Sequence, residues 1–211
     1  MKNISGCRSG KCYADWLEAD GTPSTHASQL AQAFALLSGT LPENRRDDLV
    51  SALKNPALLQ PELYLHHFVF NAMSDNRQYP SVMERIRKYW GEMIKTGTPT
   101  LWEVAIHQHG REGFGKIASL CHGFGSTPVN YFQTAILGVM PLEPGFKRFA
   151  FNPVSHDLDF AEGRVPVPSG TIHVHWRKNG DKLSVKLTVP FGLTAQTTAG
   201  EFSAGTHKFE L

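Results

Sequence analysis

The stretch TPTLWEVAIHQHGREGFGKIASLCHGFGSTP, residues 98–128, separates two parts of the chain that differ in hydrophobic period. Upstream of it, apolar residues recur at helical spacing. Downstream of it they alternate, which is typical of strands with one buried face. The stretch itself has the composition of a loop. Because functional residues are common on loops that a rigid scaffold positions, we expect part of an active site here.

The upstream part predicts four helices. Ser24 or Thr25 can cap the first, and its apolar face is expected to hold Ala27, Leu30, Phe34 and Leu37. Three more are expected after Pro42, Pro61 and Pro80. The apolar stripe of the last is expected to consist of Val82, Ile86, Trp90 and Met93. A fifth helix is predicted at the end of the stretch, with Ser126 as its cap and Pro128 in its first turn.

From Pro141 onward the sequence predicts short strands. IHVHW and LSVKLTV alternate in polarity, and NGD between them is a hairpin turn signal. Further strands are expected near 148–152, 158–165, 194–198 and 206–211. Helices followed by strands favour an α+β fold, mainly α, over a βαβ fold. We therefore predict a helical domain over 1–140 and a small antiparallel β module over 141–211.

Composition excludes several classes of function. The chain has 211 residues, 41% of them hydrophobic, and a net charge of +2. No basic run indicates nucleic-acid or membrane-surface binding. No apolar run approaches the roughly 18 residues of a spanning helix. Residues 1–10 lack the apolar core of a signal peptide, so we expect a cytoplasmic location by default.

Cysteine and histidine spacing gives no support for a metal site. Cys7 and Cys12 have no further ligands at zinc-like spacing, and we interpret them as unpaired thiols; a disulfide between them is the alternative. Adjacent His66 and His67 do not share a helix face, so we expect packing residues. Two pairs of histidines separated by one residue, His107 with His109 and His173 with His175, lack a third ligand. We expect the second pair on the solvent face of a strand. We expect neither a metal nor a cofactor.

Several motifs, in order and spacing, resemble the C-terminal half of bacterial α-L-rhamnosidases, glycoside hydrolase family 78. They are STHASQLAQAFALLSG (24–39), TLWE (100–103), SLCHGFGSTP (119–128), ILGVMPLEPGFKRF (136–149) and VPVPSGTIHVHW (165–176). The resemblance implies the last helices, about five, of a barrel of six α-helical hairpins, followed by a C-terminal β-sandwich. It also implies hydrolysis of L-rhamnose-containing glycosides.

The same resemblance assigns site residues. Family members are inverting hydrolases, in which a carboxylic acid protonates the leaving oxygen and a carboxylate activates a water. Glu103 matches that general base, and His122 matches a histidine that contacts the rhamnose ring. Trp102, beside Glu103, is expected to stack on the sugar or to form the pocket wall. Phe124 stands where the family often has tryptophan, and its role stays open.

The general acid of the family lies on an upstream motif that this sequence does not contain. We therefore expect little or no turnover by the chain alone. A partial barrel should also expose apolar surface, which predicts self-association or pairing with a missing N-terminal segment. Two alternatives remain: a non-catalytic rhamnose-binding or scaffold module derived from the hydrolase, and a self-sufficient hydrolase whose acid is Asp15 or Glu18. DWLEAD at 15–20 lacks the family's arginines, so we interpret it as an ordinary loop.

Overall fold

A computed structural model describes residues 11–105 and 118–211. The chain divides into two compact units, 1–128 and 129–211. We call the first the helical unit and the second the sandwich unit. The division falls earlier than the domain boundary predicted between 140 and 141, which remains a prediction.

The described helical unit is built mainly from four α-helices: α1 Gln29–Leu37, α2 Arg46–Leu53, α3 His66–Asp75 and α4 Tyr79–Lys95. Helix α1 packs against α2 and α3, and α3 packs against α4. Short 3-10 turns lie at Glu43–Arg45 and Gly123–Ser126. The helices precede the strands, as the change of hydrophobic period predicts.

Helix α4 follows its predicted pattern. Val82, Ile86, Trp90 and Met93 are all at least 94% buried. Pro80 lies in the first turn, where its missing N–H removes no helical hydrogen bond.

The predicted apolar face of α1 is wrong. The helix begins at Gln29, and Ser28 caps it by accepting a hydrogen bond from the N–H of Ala31. Phe34 is 47% exposed, whereas Gln29 and Gln32 are almost fully buried. The reason is hydrogen bonding: Gln32 bonds both backbone groups of Tyr13, and Gln29 donates to the carbonyl of Asn55.

Helix α3 begins at His66, five residues after Pro61, because a turn occupies the predicted first residues. His66 is fully buried, and its ring lies edge-on to those of Phe70, Tyr89 and Trp90. It is a core residue, as expected from its position beside His67.

The fifth predicted helix begins at Thr127, directly after Ser126 as expected, but a 3-10 turn that the sequence did not indicate precedes it. His122 caps that turn, because its Nδ1 accepts a hydrogen bond from the N–H of Phe124. The 3-10 turn then leads into α5 Thr127–Tyr131 and a π-helical turn at Phe132–Ile136. The chain passes from one unit to the other within α5.

The sandwich unit contains two four-stranded sheets. Their strands are β1 Val139–Pro141, β2 Arg148–Phe151, β3 Phe160–Val167, β4 Gly170–Asn179, β5 Lys182–Val189, β6 Thr194–Thr197, β7 Gly200–Phe202 and β8 Gly205–Glu210. One sheet has the order β1-β2-β6-β7 and the other β3-β4-β5-β8. All pairs are antiparallel except β2–β6, which is parallel. The predicted α+β class is therefore confirmed, with one parallel pair that the sequence pattern did not indicate.

The two sheets meet through aromatic side chains. Phe209 of β8 contacts Phe151 of β2 edge-on, and it stacks on Phe202 of β7 at 4.4 Å between ring centroids. The β4–β5 hairpin turns at Gly180, whose φ is +62°, as the NGD signal predicts. His173 and His175 point away from the buried face of β4, also as predicted.

The π-helical turn is held by the sandwich unit. The indole of the fully buried Trp176 donates to the carbonyl of Ile136 at 2.8 Å. Gly138, with φ +74°, follows the turn, and a Cβ there would lie 2.2 Å from the nitrogen of Pro153. Only glycine combines this backbone angle with so close an approach.

No helix in the described ranges combines the length and the apolar character needed to cross a bilayer.

Cys12 is disulfide-bonded, which contradicts the interpretation of unpaired thiols, and Cys121 is a free, exposed thiol. Cys7 lies outside the described residues.

Candidate active site

Two segments of the helical unit lie side by side, 100–103 and 119–122. The backbone N–H of Glu103 donates to the carbonyl of Ser119 at 3.0 Å, and that of His122 donates to the carbonyl of Leu101 at 2.8 Å. The hydroxyl of Thr100 donates to the carbonyl of Leu120 at 2.6 Å. This antiparallel pairing places Glu103 and His122, which are far apart in sequence, on two neighbouring hydrogen-bonded segments.

One oxygen of the Glu103 carboxylate is anchored. Oε2 accepts a hydrogen bond from the backbone N–H of Ser119 at 2.8 Å. Within the described residues, Oε1 has no protein hydrogen bond or ion pair, and the residue is half-buried. An N–H bond to a carboxylate is charge-assisted and restrains its orientation. The arrangement leaves Oε1 able to accept a proton from a water molecule.

His122 is oriented by its own turn. Its Nδ1 accepts from the N–H of Phe124 at 3.1 Å, so Nδ1 carries no proton in this geometry. The neutral tautomer then has its N–H on Nε2, where it can donate to a hydroxyl group. The imidazole also contacts the ring of Phe124, with 4.1 Å between centroids.

An aromatic pair adjoins His122, and the sequence patterns did not indicate it. Tyr64, from the turn before α3, stacks on Phe124 at 4.7 Å between centroids. Tyr64 is 48% exposed and Phe124 is 40% exposed. Exposed aromatic faces of this kind can pack on the apolar face of a sugar ring. The sequence predicts a helix directly after Pro61, and the contact between Tyr64 and Phe124 is visible only in the tertiary structure.

Trp102 is buried rather than open. It is 3% exposed, so its ring does not offer a free face in this structure. The burial favours a pocket wall or core position over sugar stacking; the assignment of Trp102 as a binding residue stays a prediction.

Gly125 sets the position of the 101–103 segment. A Cβ on Gly125 would lie 2.7 Å from Cβ of Leu101 and 2.8 Å from the carbonyl oxygen of Trp102. Its own carbonyl accepts a hydrogen bond from the indole of Trp90 on α4. The helix α4 therefore supports the turn that carries His122, and the turn packs directly against the segment that carries Glu103.

The acidic loop at residues 15–20, which is the alternative source of a general acid, has a structural role. Asp15 accepts hydrogen bonds from the N–H and the hydroxyl of Ser28, at the start of α1. Glu18 accepts a hydrogen bond from the indole of Trp16. Hydrogen bonds from Thr22 lower the pKa of Asp20, the opposite direction from that of a general acid. These contacts agree with the interpretation of an ordinary loop.

In the two described ranges, no three His, Cys, Asp or Glu residues lie close enough together to hold a metal ion. His107 and His109 lie outside those ranges, and His173 and His175 belong to the sandwich unit.

The chain resembles known proteins in sequence and in fold. Residues 138–200 match the family described as "Bacterial alpha-L-rhamnosidase C-terminal domain". An α-L-rhamnosidase of Alteromonas sp. (strain LOR) is 39% identical over 110 residues, which are 51% of this chain and 12% of the relative.

Solved structures agree. The family 78 rhamnosidase of Bacillus sp. GL1 has a TM-score of 0.81 and 25% identity, over 92% of this chain and 21% of that protein. The Streptomyces avermitilis α-L-rhamnosidase, solved with L-rhamnose, has a TM-score of 0.74 and 16% identity, over 93% and 22%. At the latter identity the likeness concerns the fold alone.

The chain thus spans about an eighth of the length of the curated relative and about a fifth of the two solved structures. The sequence match, the domain match and the shared fold together show that this chain is similar to the C-terminal part of the α-L-rhamnosidases of glycoside hydrolase family 78.

Proposed function

We propose that this chain supplies the general base and a sugar contact of an inverting α-L-rhamnosidase site. Glu103 is the base and His122 donates to a hydroxyl of L-rhamnose. The observation that carries the proposal is the anchoring of Glu103 through Oε2, which leaves Oε1 for a water molecule. The choice of an L-rhamnoside as substrate is supported by the relatives, which are named as α-L-rhamnosidases.

The geometry suits the chemistry of inversion. The base must hold a water on the face of the sugar opposite the leaving group, so its orientation has to be restrained before the reaction. The Ser119 N–H provides that restraint for Glu103. The exposed pair of Tyr64 and Phe124, next to His122, provides a surface for the sugar ring. We propose that the general acid comes from residues outside this sequence, as the resemblance to family 78 implies.

Two measurements test the proposal. The first is the binding of L-rhamnose to the folded chain, followed by NMR, with His122→Ala beside His173→Ala. His173 lies on the outward face of β4, in the sandwich unit, so its loss serves as the control. We expect wild type and His173→Ala to bind rhamnose and His122→Ala to bind it much more weakly. A folded chain without rhamnose binding would contradict the proposal.

The second measurement is hydrolysis of an aryl α-L-rhamnoside, with Glu103→Gln beside Glu162→Gln, an exposed residue of β3. Removal of a general base typically costs 10²–10⁴-fold in rate. We expect any turnover of the wild-type chain to be lost in Glu103→Gln and kept in Glu162→Gln. Rhamnose binding without any turnover would agree with an absent acid, and equally with the alternative of a binding or scaffold module.

The proposal extends to association. Large apolar side chains are exposed on the helical unit, among them Phe34 (47%), Leu59 (69%) and Ile94 (78%). Exposed apolar groups of this size favour self-association or pairing with a further barrel segment. Sedimentation velocity over a range of concentrations tests this; a strict monomer throughout would contradict self-association.

A further inference from the structure

A cavity lies within the helical unit, between the start of α1, the end of α2 and one face of α4. Its volume is about 230 Å³. Since a water molecule occupies roughly 30 Å³ in the liquid, the space holds several waters or one compact ion. Three basic residues line it, Lys54, Arg85 and Lys88, together with one carboxylate, Glu84. Three positive charges and one negative charge give the lining a net charge of +2.

Arg85 is the central feature of this lining. Its guanidinium donates to Oε1 of Gln29 at 2.8 Å and to the carbonyl of Leu53. Both acceptors are neutral, and among the described residues no carboxylate lies within ion-pair distance of Arg85. Burial lowers the pKa of Arg85, because it removes water from around the charge, and the nearby Tyr89 and Glu84 only partly offset this effect. A cation that is partly removed from water and forms no ion pair is costly unless an anion joins it.

The guanidinium is held rigidly. Gln29, which accepts from it, is 1% exposed, and its own amide donates to the carbonyl of Asn55 at 2.9 Å. A guanidinium has five N–H donors in one plane, and two of them bond to groups in the described part of the chain. The remaining donors are suited to the two oxygens of one oxyanion.

Two ammonium groups flank this position. Lys54 donates to Oε1 of Gln78, which leaves two of its three N–H donors unused. Lys88 lies with its ammonium 5.1 Å from the ring centre of the neighbouring Tyr89. Both residues line the cavity, so an anion inside it would meet positive charge on more than one side.

We propose that this cavity is a binding site for a small oxyanion, a phosphate or a carboxylate, with Arg85 as its main contact and Lys54 and Lys88 as flanking charges. The site does not depend on Glu103 or on the activity proposed above. It would add an acidic ligand to a chain whose proposed substrate is neutral.

Titrations at constant ionic strength test the site. The probes are inorganic phosphate and glucuronate, with chloride as the reference salt, and binding is followed by ¹H–¹⁵N NMR of the full chain. We expect saturable shifts at residues around the cavity with at least one of the two probes. Tighter binding of phosphate or of glucuronate identifies the ligand class. The absence of saturable binding with both probes would overturn the proposal.

Variants locate the binding. Arg85→Lys keeps the charge but loses the planar donor pair, and we expect affinity to fall about tenfold, as for the loss of one charge-assisted hydrogen bond. Lys88→Gln is the second variant, because Lys88 is exposed and its replacement leaves the Arg85 hydrogen bonds intact; we expect a several-fold loss. Lys186→Gln, on an exposed position of β5, is the matched control. Equal affinity in Lys88→Gln and wild type, or an equal loss in the control, would overturn the assignment.

Discussion

Two hydrogen bonds join Glu103 and Ser119. The backbone N–H of Glu103 donates to the carbonyl of Ser119, and the backbone N–H of Ser119 donates to the Glu103 carboxylate, at 3.0 and 2.8 Å. The side chain proposed as the base is therefore also part of the link between its own segment and the segment that carries His122. Catalytic position and local stability depend on the same carboxylate.

This pair of hydrogen bonds predicts different stabilities for two replacements of Glu103. Glu103→Gln keeps an oxygen acceptor for the Ser119 N–H, and we expect the free energy of unfolding to stay within about 0.5 kcal/mol of wild type. Glu103→Ala removes the acceptor and should cost about 1–2 kcal/mol. Urea denaturation of both variants measures the difference. Equal stability of the two would show that the carboxylate does not hold Ser119.

The close packing of Gly125 predicts a position-specific effect of a methyl group. In Gly125→Ala the new Cβ would meet Leu101 and Trp102 at less than 3.0 Å, so the Glu103 segment must shift. Overpacking of this kind typically costs about 1–3 kcal/mol, and rhamnose binding should weaken as well. The matched control is Gly123→Ala, because nothing lies within 4 Å of a Cβ at Gly123. If Gly125→Ala kept both the unfolding temperature and the rhamnose affinity of wild type, the proposed role of Gly125 in positioning the Glu103 segment would be wrong.

The buried amide of Gln32 predicts a large loss on apolar replacement. Its side chain is fully buried and satisfies both the N–H and the carbonyl of Tyr13. Gln32→Leu would remove the hydrogen-bond partner of both groups, at about 0.5–1.5 kcal/mol for each bond lost. We expect a loss of about 2 kcal/mol in urea denaturation. Gln196→Leu is the control, because the Gln196 amide bonds an exposed carboxylate; a similar loss there would contradict the interpretation.

Tyr89 predicts an alkaline loss of stability. Burial raises the pKa of Tyr89, and Glu92 and Glu84 raise it further, against the opposing charge of Arg85. The folded state therefore favours the neutral phenol. The stabilisation is fully present below pH 10, the ordinary pKa, and is lost as the pH rises through the higher pKa of the folded state.

Tyr89→Phe removes this titration. The difference in unfolding free energy between wild type and Tyr89→Phe should shrink as the pH rises above about 10, because only wild type has the phenol. Chemical denaturation at several pH values from neutral to alkaline measures the slope, with Tyr64→Phe as the control. A difference that is independent of pH would rule out the buried phenol as its source.

Local sequence pattern was sufficient for much of the fold. The change from helical to alternating period separated helices from strands, since each period reflects the geometry of its own backbone. The Gly180 turn and the α4 stripe follow from the same local rules. For the site, the motifs around Glu103 and His122 indicated two segments, and the structure joins these segments through backbone hydrogen bonds. The roles of the two side chains remain predictions.

The sequence by itself determined which segments are helices and strands, and in which order, because hydrophobic period and turn residues act over a few neighbours. Only the tertiary structure decided which polar groups are buried and which distant residues meet. Gln32 is buried because the backbone of Tyr13 requires its amide, and Tyr64 meets Phe124 although sixty positions separate them in sequence. Such partners come from packing across the whole unit, and no local period encodes them.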